Sequence, residues 1–179
     1  MSTKQFLFSG FGGQGILFAG KFIAYKGLMD GKNVSWLPSY GPEMRGGTAS
    51  CGVIVGDESV GSPIVSNPDV LIAMNLPSLD KFEPTVVPGG IIFADSSLIE
   101  RDVTRSDVKV VRIPATQLAS DNGIPTLANM ILLGKILSEL GEFDDEKVTA
   151  ALKKVISAKR ADMLEINLRA MKLGAEYNA

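Results

Sequence analysis

The sequence predicts one α/β domain with a mainly parallel, partly mixed sheet and a helical C-terminal third. Three observations predict it. Short apolar runs recur through the first two thirds of the 179 residues, most of them continuous rather than alternating, as in strands covered on both faces. Helical patterns separate several of these runs, and that alternation layers helices on a parallel sheet. The last third carries helical patterns and no further strand-like run. No repeat, low-complexity tract or linker divides residues 1–179, so the whole chain reads as a single domain.

The predicted strands are Gln5–Ser9, Val34–Leu37, Ala49–Val55, Val70–Met74, Gly90–Ala94 and Val108–Ile113. An apolar helix over Ile16–Met29 follows the first. Gly56-Asp57, between Val53-Ile54-Val55 and Glu58-Ser59-Val60, reads as a tight hairpin that makes the sheet mixed near that edge. Thr126 is a candidate N-cap for a helix from Leu127 to Leu140, which is apolar nearly all round and therefore buried within the domain or between chains. Asp144-Asp145-Glu146 places acids in the first turn of the next helix, where they suit its dipole. Val148, Ala151, Leu152, Val155 and Ile156 give that helix one apolar stripe. A last helix is expected over about Ala161 to Leu173.

Composition excludes several kinds of function. Net charge is −2 and the isoelectric point is near 5.2, which argues against a broad nucleic-acid footprint. No segment reads as a membrane span or a signal peptide, so the expected compartment is the cytoplasm. The chain has no histidine, and so lacks the commonest general base and metal ligand. Its single cysteine, Cys51, cannot form an internal disulfide and reads as a small buried strand residue. Hydrophobic residues make up 45% of the chain and mean hydropathy is +0.18, a surplus that points to a subunit interface.

The most informative segment is Gly10-Phe11-Gly12-Gly13-Gln14-Gly15, set between the first strand and the first helix. The pattern G-x-G-x-x-G brings backbone N–H groups to a phosphate at a helix N-terminus, giving the domain a Rossmann-like start. Gln14 can donate one further hydrogen bond. An equally available reading is a close-packed turn that holds no ligand. A dinucleotide reader also needs a carboxylate about twenty residues on, at the second strand. Asn33-Val34-Ser35-Trp36-Leu37 has none.

A second segment, Pro38-Ser39-Tyr40-Gly41-Pro42-Glu43-Met44-Arg45-Gly46-Gly47, leaves the carboxyl end of the second strand. Tyr40, Glu43 and Arg45 combine a phenol, a carboxylate and a guanidinium, while Gly46 and Gly47 let a cofactor or another backbone pass close. Loops of this length and mixture serve ligands or partners. The plainer reading is a surface Glu43–Arg45 pair, worth under about 1 kcal/mol. Asn75 is a ligand contact or, more simply, the cap of the helix after Pro77. Asp95-Ser96-Ser97 reads as an ordinary turn. Asn129 sits where contact with a neighbouring loop and local capping are both open. Nothing pairs a nucleophile with a base, so no catalytic residue is assigned.

Gly10–Gly15, the stretch Ser39-Tyr40-Gly41-Pro42-Glu43-Met44-Arg45-Gly46-Gly47-Thr48-Ala49, and Asn75-Leu76-Pro77 together resemble the gamma subunit of 2-oxoacid:ferredoxin oxidoreductases. The resemblance covers essentially the whole chain. Its S-Y-G-P-E form is more like the 2-oxoglutarate or branched-chain enzymes than the pyruvate enzyme, with 2-oxoglutarate synthase the first expectation. The resemblance implies a complex in which thiamine diphosphate lies between alpha and beta subunits and iron–sulfur clusters sit in other chains or domains. That complex decarboxylates a 2-oxoacid, transfers the acyl group to coenzyme A and reduces ferredoxin. Expected partners are the alpha and beta subunits and an iron–sulfur (delta) subunit or ferredoxin, with a homodimer contact also possible. On this reading Gly10, Gly12, Gly13, Gln14, Gly15, Tyr40, Glu43, Arg45, Gly46, Gly47 and Asn75 help hold coenzyme A, and this chain carries no metal. Two rivals stand beside it: a free-standing NADP- or flavin-binding oxidoreductase, and a scaffold subunit that binds no ligand.

Overall fold

The computed structural model describes residues 2–39 and 48–178. Six strands form one sheet: β1 (Lys4–Phe11), β2 (Asn33–Ser39), β3 (Thr48–Gly56), β4 (Val70–Ala73), β5 (Ile91–Asp95) and β6 (Lys109–Ile113). Their order across the sheet is β2-β3-β1-β4-β5-β6. β1, β4, β5 and β6 run parallel, whereas β3 is antiparallel to both β1 and β2. The sheet is thus mixed, as expected, but for a different reason.

The hairpin expected at Gly56-Asp57 is absent: Glu58–Val60 form no strand. Its physical reason is the register, since β3 already has Gly52 paired with Leu7 on one side and with Leu37 on the other. With both edges hydrogen-bonded, β3 has no free edge for a further partner. The antiparallel hairpin is instead β2 with β3, joined by the segment containing 40–47.

Helices cover the sheet unequally. On one face lie α1 (Ile16–Met29), α4 (Ala128–Glu139), α5 (Asp145–Val155) and α6 (Met163–Glu176), packed around Phe6, Phe8, Phe22, Ile72 and Phe93. The other face is closed by α2 (Leu76–Phe82) and by irregular chain, through Leu79, Val86, Ile99 and partly buried Val65 and Val103. A short α3 (Ala115–Asp121) follows β6. Much of the apolar surplus seen in the composition is consumed by this double covering. Large apolar side chains that stay exposed include Leu28, Leu37, Ile64, Leu76 and Leu98.

α4 has no polar face because it is enclosed by its own domain. Every residue from Ala128 to Leu137 is buried. α6 lies across it at backbone contact: a Cβ on Gly134 would sit 1.8 Å from the Met171 carbonyl oxygen, and one on Gly174 would sit 1.8 Å from that of Ile131. The start of α4 differs from expectation. Thr126 lies in a turn, the helix begins after Leu127, and no side chain caps it. α5 does begin as expected, with Asp144 accepting a 2.9 Å hydrogen bond from the Lys147 N–H.

Candidate functional site

β1 and β4 are adjacent and parallel, yet their chains leave in opposite directions. After β1 the chain forms α1 on one face and passes to β2 at one edge of the sheet. After β4 it forms α2 on the other face and passes to β5 on the opposite side. In α/β sheets, diverging connections of this kind mark the edge where ligands bind, at the carboxyl ends of the two strands. Gly10–Gly15 emerges from β1 at that point, and Asn75 follows β4.

The loop's backbone is suited to an anion. Gly13 and Gly15 have φ of 90° and 74°, a left-handed conformation that glycine adopts without cost from a Cβ. Gly15 stands at the N-cap of α1 with no side chain capping the helix, and the first bond inside the helix runs from Ala19 N–H to Gly15 O at 3.0 Å. The N–H groups of the first turn are therefore free of intrahelical partners, and the dipole of a 14-residue helix adds positive potential. Gly12 and Gly13 are exposed.

Gln14 has a role that the sequence reading did not assign. Its Oε1 accepts from Phe11 N–H at 2.6 Å and its Nε2 donates to Met74 O at 3.0 Å. The side chain thus braces the end of β1 against the end of β4, and one of its two amide hydrogens is spent inside the fold. Gly10 leaves room for this brace, since a Cβ there would lie 2.5 Å from Gln14 Oε1.

Asn75 is the N-cap of α2, with Oδ1 accepting from Ser78 N–H at 2.8 Å. Capping was the simpler expectation and it is observed. Asn75 is 1% exposed, yet its Nδ2 has no hydrogen-bond partner among the described residues. Asn129 turns to the neighbouring loop, donating from Nδ2 to Gly15 O at 3.2 Å. Its signal in the sequence was a polar residue in the apolar first half of the helix, but that did not place it beside Gly15.

Tyr40, Glu43, Arg45, Gly46 and Gly47 lie outside the described residues. The strands that flank them are placed: Ser39 pairs with Ser50, and Thr48 with Phe11. Thr48 therefore borders the glycine loop, while Ser39 lies one strand further out, level with Ser9. Asp95 forms the expected turn, accepting from Ser97 N–H at 3.0 Å, and also holds the start of α3 through Thr116 Oγ1 at 2.5 Å. Cys51 is fully buried, and burial pushes its thiol up to about 12 against an opposing hydrogen bond from Trp36. Such a thiol is no nucleophile at neutral pH.

Fold and loop define a Rossmann-like domain in which an antiparallel strand, β3, takes the place beside β1 where a dinucleotide-binding sheet has a parallel one. Residues 5–177 match the pyruvate ferredoxin/flavodoxin oxidoreductase family, and the chain belongs to that family. It is 41% identical over 170 residues to the ketoisovalerate oxidoreductase subunit VorA of Methanothermobacter thermautotrophicus, a match covering 94% of this chain and 35% of that relative. The chain thus spans about a third of that relative's length. The crystal structure of a keto/oxoacid ferredoxin oxidoreductase gamma subunit from Geobacter sulfurreducens PCA is similar with a TM-score of 0.81 at 27% identity, covering 97% of this chain and 96% of that one. The 2-oxoglutarate:ferredoxin oxidoreductase of Magnetococcus marinus, solved with 2-oxoglutarate, coenzyme A and succinyl-CoA bound, is similar with a TM-score of 0.87 at 26% identity, covering 100% of this chain and 32% of that one. The gamma-subunit resemblance drawn from the sequence is borne out.

Proposed function

We propose that this chain is the gamma-type subunit of a 2-oxoacid:ferredoxin oxidoreductase complex and that its glycine loop holds part of coenzyme A. In such a complex a 2-oxoacid is oxidatively decarboxylated, its acyl group passes to the coenzyme A thiol, and the electrons pass to ferredoxin. The 2-oxoacid is 2-oxoglutarate, our first assignment from the S-Y-G-P-E segment, or a branched-chain acid, the substrate named for VorA. Thiamine diphosphate and iron–sulfur clusters belong to the partner subunits. Among the described residues, no three His, Cys, Asp or Glu side chains gather to hold a metal.

One observation carries the reading: a glycine turn at the switch point offers uncapped helix N–H groups with no ionisable side chain in the loop itself. That arrangement binds and orients a phosphate but moves no proton. Gly12, Gly13 and Gly15 supply approach, Gln14 fixes the loop between β1 and β4, and Asn75 Nδ2 is a buried donor suited to a phosphate oxygen. The NADP reading is disfavoured by topology. The strand beside β1 begins rather than ends at the loop, so its C-terminal residues lie at the wrong rim to read a ribose.

The test uses the purified complex carrying Gly12→Asp. A carboxylate placed in the loop is expected to raise KM for coenzyme A about tenfold, equivalent to roughly 1.4 kcal/mol, with KM for the 2-oxoacid unchanged. An unchanged KM for coenzyme A would turn the loop into a subunit-docking element. Assaying 2-oxoglutarate against 2-ketoisovalerate in the same preparation decides the substrate.

A further inference from the structure

Asn129 stands at the glycine loop as a buried polar group whose amide oxygen is unused. It is 5% exposed and sits in the first turn of α4, followed by Met130, Ile131, Leu132 and Leu133. Its Nδ2 donates to Gly15 O at 3.2 Å, while Oδ1 has no partner among the described residues. The carboxamide lies directly against the N-cap of α1: a Cβ on Gly15 would come within 2.3 Å of Nδ2. A buried acceptor left unpaired carries a desolvation cost, and a ligand that donates to it removes that cost.

The chemistry of the two neighbours is complementary rather than redundant. Free N–H groups at the start of α1 call for an acceptor, which a phosphate oxygen supplies. Asn129 Oδ1 calls for a donor, which a fully ionised phosphate diester does not have. A ligand that satisfies both carries a hydroxyl or amide N–H a few bonds from its phosphate. Coenzyme A has both in its pantoyl unit, where a hydroxyl and the first amide follow the pyrophosphate.

Resting on the coenzyme A reading above, we propose that Asn129 is a ligand-binding residue of the glycine-loop site. Its Oδ1 accepts a hydrogen bond from the pantoyl hydroxyl or adjacent amide N–H. Asn129 thereby makes the site select a phosphate ester bearing a nearby donor over a bare anion.

The experiment compares two probes in the purified complex: coenzyme A, and sulfate as a competitive inhibitor with no hydrogen to donate. With Asn129→Ala, KM for coenzyme A is expected to rise about fivefold while the sulfate inhibition constant and KM for the 2-oxoacid stay the same. Equal weakening of coenzyme A and sulfate would overturn the proposal, because Asn129 would then only hold Gly15 in place. No change in either, with Gly12→Asp still raising both constants, would overturn it and leave the coenzyme A site intact. No change with Gly12→Asp would reject the site itself. Should Asn129→Ala fail to assemble, Asn129→Ser is measured in the same way, its smaller side chain withdrawing the Oδ1 acceptor.

Discussion

Gly13 and Gly15 share a left-handed backbone but not the same surroundings. A Cβ on Gly13 would meet nothing within 4 Å, whereas one on Gly15 would collide with the Asn129 carboxamide at 2.3 Å. Gly13→Ala is therefore expected to cost about 1–2 kcal/mol, the backbone term alone. Gly15→Ala adds overpacking and is expected to cost at least about 1 kcal/mol more. Urea denaturation of the two variants checks the difference, and equal losses would mean that Asn129 moves aside freely. At this scale the sequence was only partly legible. Three glycines in a G-x-G-x-x-G pattern announced a turn, but nothing local said which of them abutted another element.

Glu83, at the end of α2, ties two elements of the thinner sheet face together. It is 3% exposed and accepts from Thr104 N–H at 2.6 Å, Thr104 Oγ1 at 2.7 Å and Arg105 N–H at 3.2 Å. Arg101 pairs with its other oxygen at 2.8 Å. Burial alone would raise this carboxyl, but the Thr104 hydrogen bonds and the Arg101 charge outweigh it and hold it below the ordinary range. A lowered folded value means that the stabilisation is fully present above the unfolded pKa of about 4.3 and is lost as pH falls through the folded value. Glu83→Gln should cost roughly 1.5–3 kcal/mol at pH 7, with the gap to the parent closing below about pH 4. Denaturant midpoints across pH 3–7 measure it. A constant gap would assign the loss to packing rather than ionisation. None of these contacts was foreseen, because Glu83 and Thr104 meet only once the irregular chain after β5 folds back over α2.

The molecule as a whole is organised by the switch between β1 and β4. It brings together the glycine loop, Asn75, Thr48 just after the segment containing 40–47, and the start of α4. Leu76 follows Asn75 at this same rim and remains 38% exposed, a large apolar side chain just past the end of β4. No helix among the described residues is long and apolar enough to cross a membrane. At this scale the expected outcome concerns assembly. Gentle affinity purification from the native cell should recover the chain with a thiamine-diphosphate-binding pair and an iron–sulfur protein, identified by mass spectrometry. Recovery as a lone monomer or homodimer would count against the subunit reading.

Local sequence was enough for the α/β class, the six strands, the four longer helices and the glycine turn between β1 and α1. Each of these is written in local periodicity and in residues with distinctive backbone behaviour. Motif combination also reached the family, because the S-Y-G-P-E-M-R-G-G segment is distinctive even though the glycine loop is not. Long-range packing alone set β3 antiparallel between β1 and β2. It also decided that Gln14 braces two strands and that Asn129 meets Gly15. These are pairings between residues far apart in the chain, selected by register and packing. No periodicity within a single segment encodes them.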